Sequence, residues 1–277
     1  MNRTWATILS STLAVSLPVA AGCVVASESG CAWQPAGYKA SKPAQSVHVA
    51  GAPLDVQTEN GSITVRKTDG DQVVIAAHIS AISQERLDAT KVTAQRSDDG
   101  TLTVRVEWPG GKREMNEGAS IEILTPGAKG LNLRSSNGAI VVSGMSGHAA
   151  LKSSNGSITV TEHAGHVVAD TSNGSINLSE VASAHADTSN GAVTIRLAAD
   201  AAGPIDADTS NGSIVLEVGD AFDASLDAKT SNAGVKCTAT GATAVASGRN
   251  HGAFKFGNGT HKCRLDSSNG SITIRSR

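Results

Sequence analysis

The chain has 277 residues and a formal net charge of −2 at pH 7, and aromatic residues make up only 3% of it. This charge provides no basic footprint for nucleic acid. The length is enough for one large domain or two smaller ones with a buried core. The 29 glycines, with many Ser, Thr and Asn residues, favour short strands and turns over long helices.

Residues 1–22 are predicted to be an export signal. Arg3 is followed by an uncharged, largely apolar stretch that ends in VAAGC, which is the order of a secretory signal. VAAGC resembles a bacterial lipobox, in which the cysteine is lipidated and becomes the new N-terminus, and Cys23 is the candidate. Cleavage after Ala21 with release of a soluble protein, and an uncleaved anchor, are the alternatives. Residues 23–44 are rich in Ser, Pro, Ala and Gly and are predicted to be a tether.

Four cysteines, Cys23, Cys31, Cys237 and Cys263, fit an oxidising compartment. If Cys23 carries lipid, Cys237 and Cys263 are the natural disulfide pair and Cys31 is left over. If it does not, Cys23 and Cys31 could form a second bridge. Two buried free thiols are the alternative for Cys237 and Cys263. The spacing does not match a zinc site.

Residues 45–127 are predicted to be a β-rich cap region with less regular strands. LDVQTEN, QVVIAAHI and LTVRVEW alternate apolar and polar residues, as a half-buried strand does. SQERLDATK at 83–91 is a short helical turn or a loop, and PGGKREMNEG at 109–118 is a loop.

Residues 128–277 repeat one short phrase, SNGSI and close variants, at intervals of 17–21 residues. The aligned positions are Asn137, Asn155, Asn173, Asn190, Asn211, Asn232, His251 and Asn269. The third and fifth residues after each aligned position are almost all apolar, with a mostly polar residue between them. This alternation is typical of a strand with one buried face. The third residue before each aligned Asn is charged and is expected to point outward. By the same parity the Thr column two residues before the Asn, with Thr171, Thr188, Thr209 and Thr230, is expected to point inward.

This pattern predicts an all-β fold, a β-solenoid of the parallel β-helix type with about eight coils of 17–21 residues. One coil cannot bury its own apolar face, whereas stacked coils bury each other. Asn and Gly are expected to turn the chain in left-handed backbone conformations, and aligned Asn side chains to bond from coil to coil. Asn-Gly is also a strong hairpin signal, so a hairpin-rich sandwich is the competing fold. The regular register favours the solenoid.

The SNGSITV repeats behind an export signal, preceded by GSITVRKTDGDQVVI and IEILTP, resemble the bacterial "putative adhesin" family of β-strand-repeat envelope proteins, a former domain-of-unknown-function family. The resemblance covers residues 45–277. It implies an extracytoplasmic β-repeat protein with an adhesive role by analogy, and it supplies no catalytic residue.

Asp170, Asp187 and Asp208 occupy one outward position on consecutive coils. Parallel β-helix enzymes that cut acidic polysaccharides carry carboxylates on such a wall, where these act as acid and base or hold Ca²⁺. Lys152 and Lys229 flank the three aspartates at the same position and relieve their repulsion. A solvated ladder is therefore expected.

His148, His163 and His166 are expected to lie close together in return loops. Three imidazoles could bind zinc or copper, but their spacing is not a known ligand motif. Loop histidines in solvent are expected instead.

The sequence as a whole predicts an exported, lipid-anchored cell-envelope β-repeat protein that is an adhesin-like or structural interaction surface and not an enzyme. The alternative is a polysaccharide-processing β-helix enzyme that uses Asp170, Asp187 and Asp208. The expected partners are an envelope protein or polysaccharide and, through the lipid, the membrane. No cofactor, metal or nucleic acid is expected. The predicted location is the outer membrane or periplasm, with secretion as the alternative.

Overall fold

A computed structural model describes residues 38–43, 48–49 and 51–277. The predicted signal, Cys23, Cys31 and most of the predicted tether lie outside the described residues. Gly37–Arg277 forms one compact unit. None of the described helices is long and apolar enough to cross a membrane.

The described chain is almost entirely β-structure. Its strands are β1 (Tyr38–Pro43), β2 (His48–Val49), β3 (Leu54–Thr58), β4 (Ile63–Lys67), β5 (Gln72–Ala81), β6 (Lys91–Arg96), β7 (Leu102–Glu107), β8 (Gly118–Thr125), β9 (Gly130–Ser135), β10 (Ile140–Ser143), β11 (His148–Ser153), β12 (Ile158–Thr171), β13 (Ile176–Thr188), β14 (Val193–Leu197), β15 (Ile205–Thr209), β16 (Ile214–Val218), β17 (Ala224–Thr230), β18 (Val235–Cys237), β19 (Thr243–Ser247), β20 (His251–Lys255), β21 (His261–Ser267) and β22 (Ile272–Ser276). The helix α1 is Gln84–Ala89, and a 3-10 helix is Pro109–Gly111.

Each coil has one strand on either side of a corner, which is Asn-Gly in seven coils and Asn232-Ala233 in the eighth, and equivalent strands stack in parallel. The strands before the corner form what we call the front sheet, in the order β7, β3, β9, β11, β12, β13, β15, β21 and β17. The strands after it form the back sheet, in the order β8, β4, β10, β12, β13, β14, β16, β22 and β18. The long strands β12 and β13 belong to both sheets. The predicted β-solenoid is confirmed.

The core lies between the two sheets and is built from columns of identical positions. Three residues after the corner Asn, seven of the eight coils have a side chain that is 0% exposed, namely Ile63, Ile140, Ile158, Ile176, Val193, Ile214 and Ile272, and the eighth has the partly buried Val235. β-Branched side chains fit the pleated surface of a strand, and burying each one contributes about 1.5–3 kcal/mol. The alternation seen in the sequence is therefore the alternation of core and surface.

Antiparallel strands flank the parallel stack at both ends. At the first end β5 pairs with β8, β1 and β2 pair with β5, and β6 pairs with β7. At the second end β20 pairs with β17, and β19 pairs with β20. Within the predicted cap region, β3 and β4 form one regular coil around Asn60, in register with the coil at Asn137.

The stacking order departs from the chain order near the C-terminus. The coil at Asn269 lies between the coils at Asn211 and Asn232, because β21 pairs with both β15 and β17, and β22 with both β16 and β18. His251 begins the antiparallel strand β20. The expected coil at His251 is therefore not a coil of the stack, and the coil at Asn60 takes its place in the count of eight.

Candidate functional site

The corner asparagines form a continuous ladder along one edge of the solenoid. Each Asn donates from Nδ2 to Oδ1 of the Asn in the preceding coil at 2.7–2.9 Å, beginning with Asn137 to Asn60 and ending with Asn232 to Asn269. These bonds join all eight coils. The predicted ladder is confirmed, and it follows the order of the stack, not that of the chain.

A buried hydroxyl two residues before each corner Asn joins neighbouring coils from the inside. Thr171 Oγ1 donates to the Gly156 carbonyl oxygen at 2.9 Å and accepts from the Gly174 amide at 3.4 Å. The equivalent residues are Thr58, Ser135, Ser153, Thr171, Thr188, Thr209, Ser267 and Thr230, all buried. The expected inward direction of this column is confirmed. The hydroxyls satisfy backbone groups that would otherwise be buried without a partner.

The corner glycine is required by the close approach of two backbones. A Cβ atom on Gly174 would lie 2.1 Å from the carbonyl oxygen of Gly156, and one on Gly156 would lie 2.0 Å from that of Gly138. Among the described coils, no corner Asn or Gly has a positive φ. The expected left-handed turn at the corner is therefore wrong. At seven of the eight corners glycine leaves room for the backbone of the neighbouring coil, and the coil at Asn232, at the end of the stack, has Ala233 there instead.

The outward position three residues before the corner Asn forms a charged column on the front sheet. Its order along the stack is Arg134, Lys152, Asp170, Asp187, Asp208, Asp266 and Lys229. Four carboxylates are therefore consecutive, with basic residues at both ends. Because neighbouring strands lie about 4.8 Å apart, the four span about 14 Å. The order of the repeats along the chain indicated three consecutive aspartates. Asp266 is the fourth, because the coil at Asn269 stacks directly on the coil at Asn211.

Arg264 partly neutralises this row. Its guanidinium lies 3.5 Å from the Asp208 carboxylate and 3.0 Å from that of Asp266. Burial, followed by the charges of Asp266 and Asp187, raises the pKa of Asp208 even though Arg264 acts in the opposite direction. After burial, the charges of the neighbouring carboxylates are the next largest cause of the raised pKa, so they repel Asp208 despite Arg264. A cationic group placed against the row would relieve this repulsion.

His163 is in the core and not in solvent, so the expectation for this residue was wrong. It is 1% exposed and aligns with Val181 of the next coil. Its Nε2 lies 2.9 Å from the Gly147 carbonyl oxygen, whereas Nδ1 is buried without a hydrogen-bond partner in the protein. Burial holds the pKa of His163 below its usual range. The imidazole is therefore neutral at pH 7.

His148 and His166 are adjacent on neighbouring coils, with ring centroids 5.9 Å apart. His166 Nδ1 lies 2.9 Å from Ser183 Oγ. Burial and then the neighbouring His148 lower the pKa of His166. Within the described part of the chain, no group of three or more His, Cys, Asp or Glu side chains is arranged to hold a metal ion.

Cys237 and Cys263 are free thiols in the structure, so the predicted bridge is not formed there. Cys237 lies on the back sheet beside Ile274, and Cys263 lies on the front sheet beside Leu226. The Ile205 amide donates to Cys263 Sγ at 3.2 Å. Burial raises the pKa of both thiols, which keeps them protonated and unreactive.

A buried ion pair at the first end of the solenoid was not found by sequence reasoning. The Glu117 side chain is 0% exposed, and its two oxygens accept from Arg86 Nε and Nη2 at 2.7 Å. The hydrogen bonds from Arg86 hold the pKa of Glu117 below its usual range. The Glu117 carbonyl accepts from Asn60 Nδ2 at 3.0 Å, so this segment caps the asparagine ladder. No local pattern links residues 31 positions apart.

Solved structures include several with a similar course of the chain. One is a putative adhesin from Bacteroides fragilis, with 13% identity, coverage of 88% of this chain and 98% of that chain, and a TM-score of 0.49. Another is a putative lipid binding protein from Parabacteroides distasonis, with 13% identity, coverage of 86% and 96%, and a TM-score of 0.41. A putative adhesin from the same species has 12% identity, coverage of 87% and 98%, and a TM-score of 0.36. A comparison with curated proteins finds no match.

The two sheets, the asparagine ladder and the hydroxyl column define a β-repeat solenoid with patterned outer faces. The family model described as Toastrack DUF4097 matches residues 126–275, which is more than half of the chain. The protein belongs to this family.

Proposed function

We propose that this protein is exported, anchored by a lipid on Cys23, and acts in the bacterial cell envelope as an adhesin-like or structural interaction surface. The charged column of the front sheet is the observation that carries this proposal. Its four consecutive carboxylates face outward on a fixed frame between Lys152 and Lys229. Such a row is complementary to a protein or polymer that presents cationic groups.

The rigidity of the frame supports a role in binding. The asparagine ladder and the buried hydroxyls fix each coil against the next, so the carboxylates are held in place before a partner arrives. A preorganised surface loses less conformational entropy on binding. Each exposed ionic contact contributes little by itself, and the repeat supplies several in a row.

The VAAGC stretch and the candidate lipidation at Cys23 support the envelope location. A lipid on this residue would hold the protein at a membrane while the solenoid remained in the aqueous phase. The expected partner is an envelope protein or a polysaccharide with cationic groups.

The raised pKa of Asp208 is the one observation that favours the alternative, a polysaccharide-processing enzyme. Such an enzyme needs one carboxyl group that donates a proton and a second that acts on the other side of the bound sugar. In this protein the neighbours of Asp208 lie on the same face of the same sheet, and Arg264 occupies the space beside it. This arrangement fits a binding ridge better than a catalytic pair.

The test uses the predicted exported form, residues 24–277, immobilised and exposed to labelled envelope polysaccharides and envelope extract. We expect an intact ligand to be retained, with retention that weakens as the salt concentration rises. Substitution of all four column aspartates by Asn should abolish retention. Shortened ligand would identify the enzyme instead, and failure to retain any ligand would refute the proposed function.

A matched control removes the same number of carboxylates elsewhere. The control positions are the exposed residues Asp69, Asp71, Asp98 and Asp220. Their substitution by Asn changes the net charge equally but leaves the column intact. Equal loss of binding in both variants would mean that overall charge, and not the column, attracts the ligand.

A further inference from the structure

β19 is the last strand at the second end of the front sheet, and β20 is its one partner among the described strands. Its sequence is TAVAS, and all five residues are exposed. Val245 at its centre is 71% exposed. The outer edge of such a strand presents backbone N–H and C=O groups to which another strand can bond.

Three of the other terminal strands carry features that oppose strand pairing, and the fourth, β2, is only two residues long. β1 reads YKASKP, β6 reads KVTAQR and β18 reads VKC. Lysine and proline on an edge prevent a second strand from adding, because lysine charges repel and proline lacks an N–H. β19 has no charged residue, no proline and no glycine. Among β1, β6, β18 and β19, it alone lacks both a charged residue and a proline.

We propose that β19 pairs antiparallel with β19 of a second copy of this chain, which joins two solenoids at their second ends. A two-fold interface requires one patch that is complementary to itself. TAVAS read backwards is SAVAT, so pairing centred on Val245 places Thr243 of one copy opposite Ser247 of the other. The alanines on either side of Val245 then face each other. No charges of like sign oppose one another within the strand pair.

β19 contains a bulge, a feature that can limit pairing at an edge, so the proposed contact depends on the uncharged, nearly symmetric sequence of the strand. The ladder to β20 shifts register between Ala244 and Ala246, so Val245 is an additional residue on the edge strand. Its exposed side chain is the one large apolar group of the strand, and pairing would bury the two Val245 side chains against each other. A second copy of this strand is therefore the occupant that matches the patch in size, polarity and symmetry.

The position of β19 gives the pairing a defined geometry. β1, where the described chain begins, lies at the first end of the stack, and β19 lies at the second end. Two copies joined through β19 would therefore direct their first ends apart and carry two charged columns on one body. The pairing itself does not depend on the proposed function, although two linked columns would bind a polymer with greater avidity.

Sedimentation velocity of residues 24–277 tests the proposal. The interface is small, so a dimer is expected to form with increasing concentration between about 1 µM and about 500 µM. Val245→Lys should remain a monomer over this range, because it places two like charges at the centre. Val74→Lys is the matched control, since Val74 is a 55% exposed valine on β5, and it should dimerise like the wild type. Unchanged thermal unfolding of both variants confirms that they are folded.

Cross-linking provides a second measurement that does not depend on affinity. With Val245→Cys, mild oxidation should give a covalent dimer much faster than with Val74→Cys, because antiparallel pairing brings the two introduced thiols within bonding distance. A wild type that stays monomeric, a Val245→Lys variant that still dimerises, or equal cross-linking of the two cysteine variants would overturn the proposal. If the wild type is monomeric, the strand that pairs with the outer edge of β19 would have to come from a different protein.

Discussion

A single methyl group at a corner glycine is expected to separate two coils. A Cβ on Gly174 would lie 2.1 Å from the carbonyl oxygen of Gly156 and 2.5 Å from its carbonyl carbon. Non-bonded heavy atoms prefer separations of about 3.5 Å or more, so the backbones must move apart by more than about 1 Å. Both contacted atoms belong to the backbone, so no flexible side chain can move aside.

The magnitude follows from the contacts that cross this interface. Overpacking in a well-packed interior costs about 1–3 kcal/mol. The same displacement weakens the bonds from Thr171 to Gly156 and from Asn173 to Asn155, each of which contributes about 0.5–1.5 kcal/mol. Gly174→Ala should therefore lower the free energy of unfolding by about 2–6 kcal/mol. This is a large share of the about 5–15 kcal/mol that stabilises a typical domain.

Guanidinium unfolding followed by far-ultraviolet circular dichroism measures this effect. Gly127→Ala is the control, because a Cβ at Gly127 meets no atom within 4 Å and the loss of glycine flexibility favours the folded state by about 0.4–1 kcal/mol. Gly174→Ala should unfold at a much lower denaturant concentration and Gly127→Ala at the wild-type concentration or above it. If Gly174→Ala stays within about 1 kcal/mol of the wild type, which is the lower limit for overpacking, the close-approach argument is refuted.

Three further perturbations test the ladder, the buried ion pair and the buried histidine. Asn173→Ala removes one donor and one acceptor of the ladder and should cost about 1–2 kcal/mol in chemical denaturation, whereas the exposed loop variant Asn258→Ala should match the wild type. Glu117→Gln should cost about 2–3 kcal/mol at pH 7. The folded pKa of Glu117 is lowered, so the stability that Glu117 contributes is fully present above its unfolded pKa of about 4.3 and is lost as the pH falls through the folded pKa. An acid titration of the free energy of unfolding should show this loss in the wild type and not in Glu117→Gln. The folded pKa of His163 is also lowered, so the free energy of unfolding should decline as the pH falls below about 6.5. In a series of unfolding midpoints measured at different pH values, His163→Val should show a smaller decline than the wild type. The exposed control His78→Val should show the same decline as the wild type.

The features that sequence analysis predicted correctly are those set by local spacing. The period-two alternation around each Asn-Gly identified the strands, and its parity identified the inward Thr column and the outward charged column. These assignments hold because a strand exposes alternate residues to opposite faces regardless of which strand lies beside it. The solenoid followed because the same pattern recurs at a nearly constant interval.

The order of the last coils could not be predicted in the same way. Coils with nearly identical sequences can stack on one another in any order, so their spacing along the chain does not determine which two coils are adjacent. One local signal was present. The NHGAF phrase has Arg249 where a coil needs the buried Ser or Thr, and a charged side chain cannot replace the hydroxyl that joins two coils in the core.

The charged column was consequently predicted only in part. Asp170, Asp187 and Asp208 were identified because they follow one another in both chain and stack. Asp266 was not, because its place beside Asp208 depends on the insertion of the last coil. The core position of His163 and the pair between Glu117 and Arg86 likewise arise from contacts between distant segments. Hydropathy patterns do not record such contacts.

The inserted coil also sets the order in which the solenoid can be completed during synthesis. A chain that emerges with its N-terminus first can stack its coils in sequence as far as Asn211. The coil at Asn232 cannot take its place at once, because the strands that join it to the stack, β21 and β22, emerge after it. A chain that ended before residue 261 would therefore lose its last coil and also the attachment of the coil before it. Residues 261–277 are therefore required for the second end of the solenoid to form.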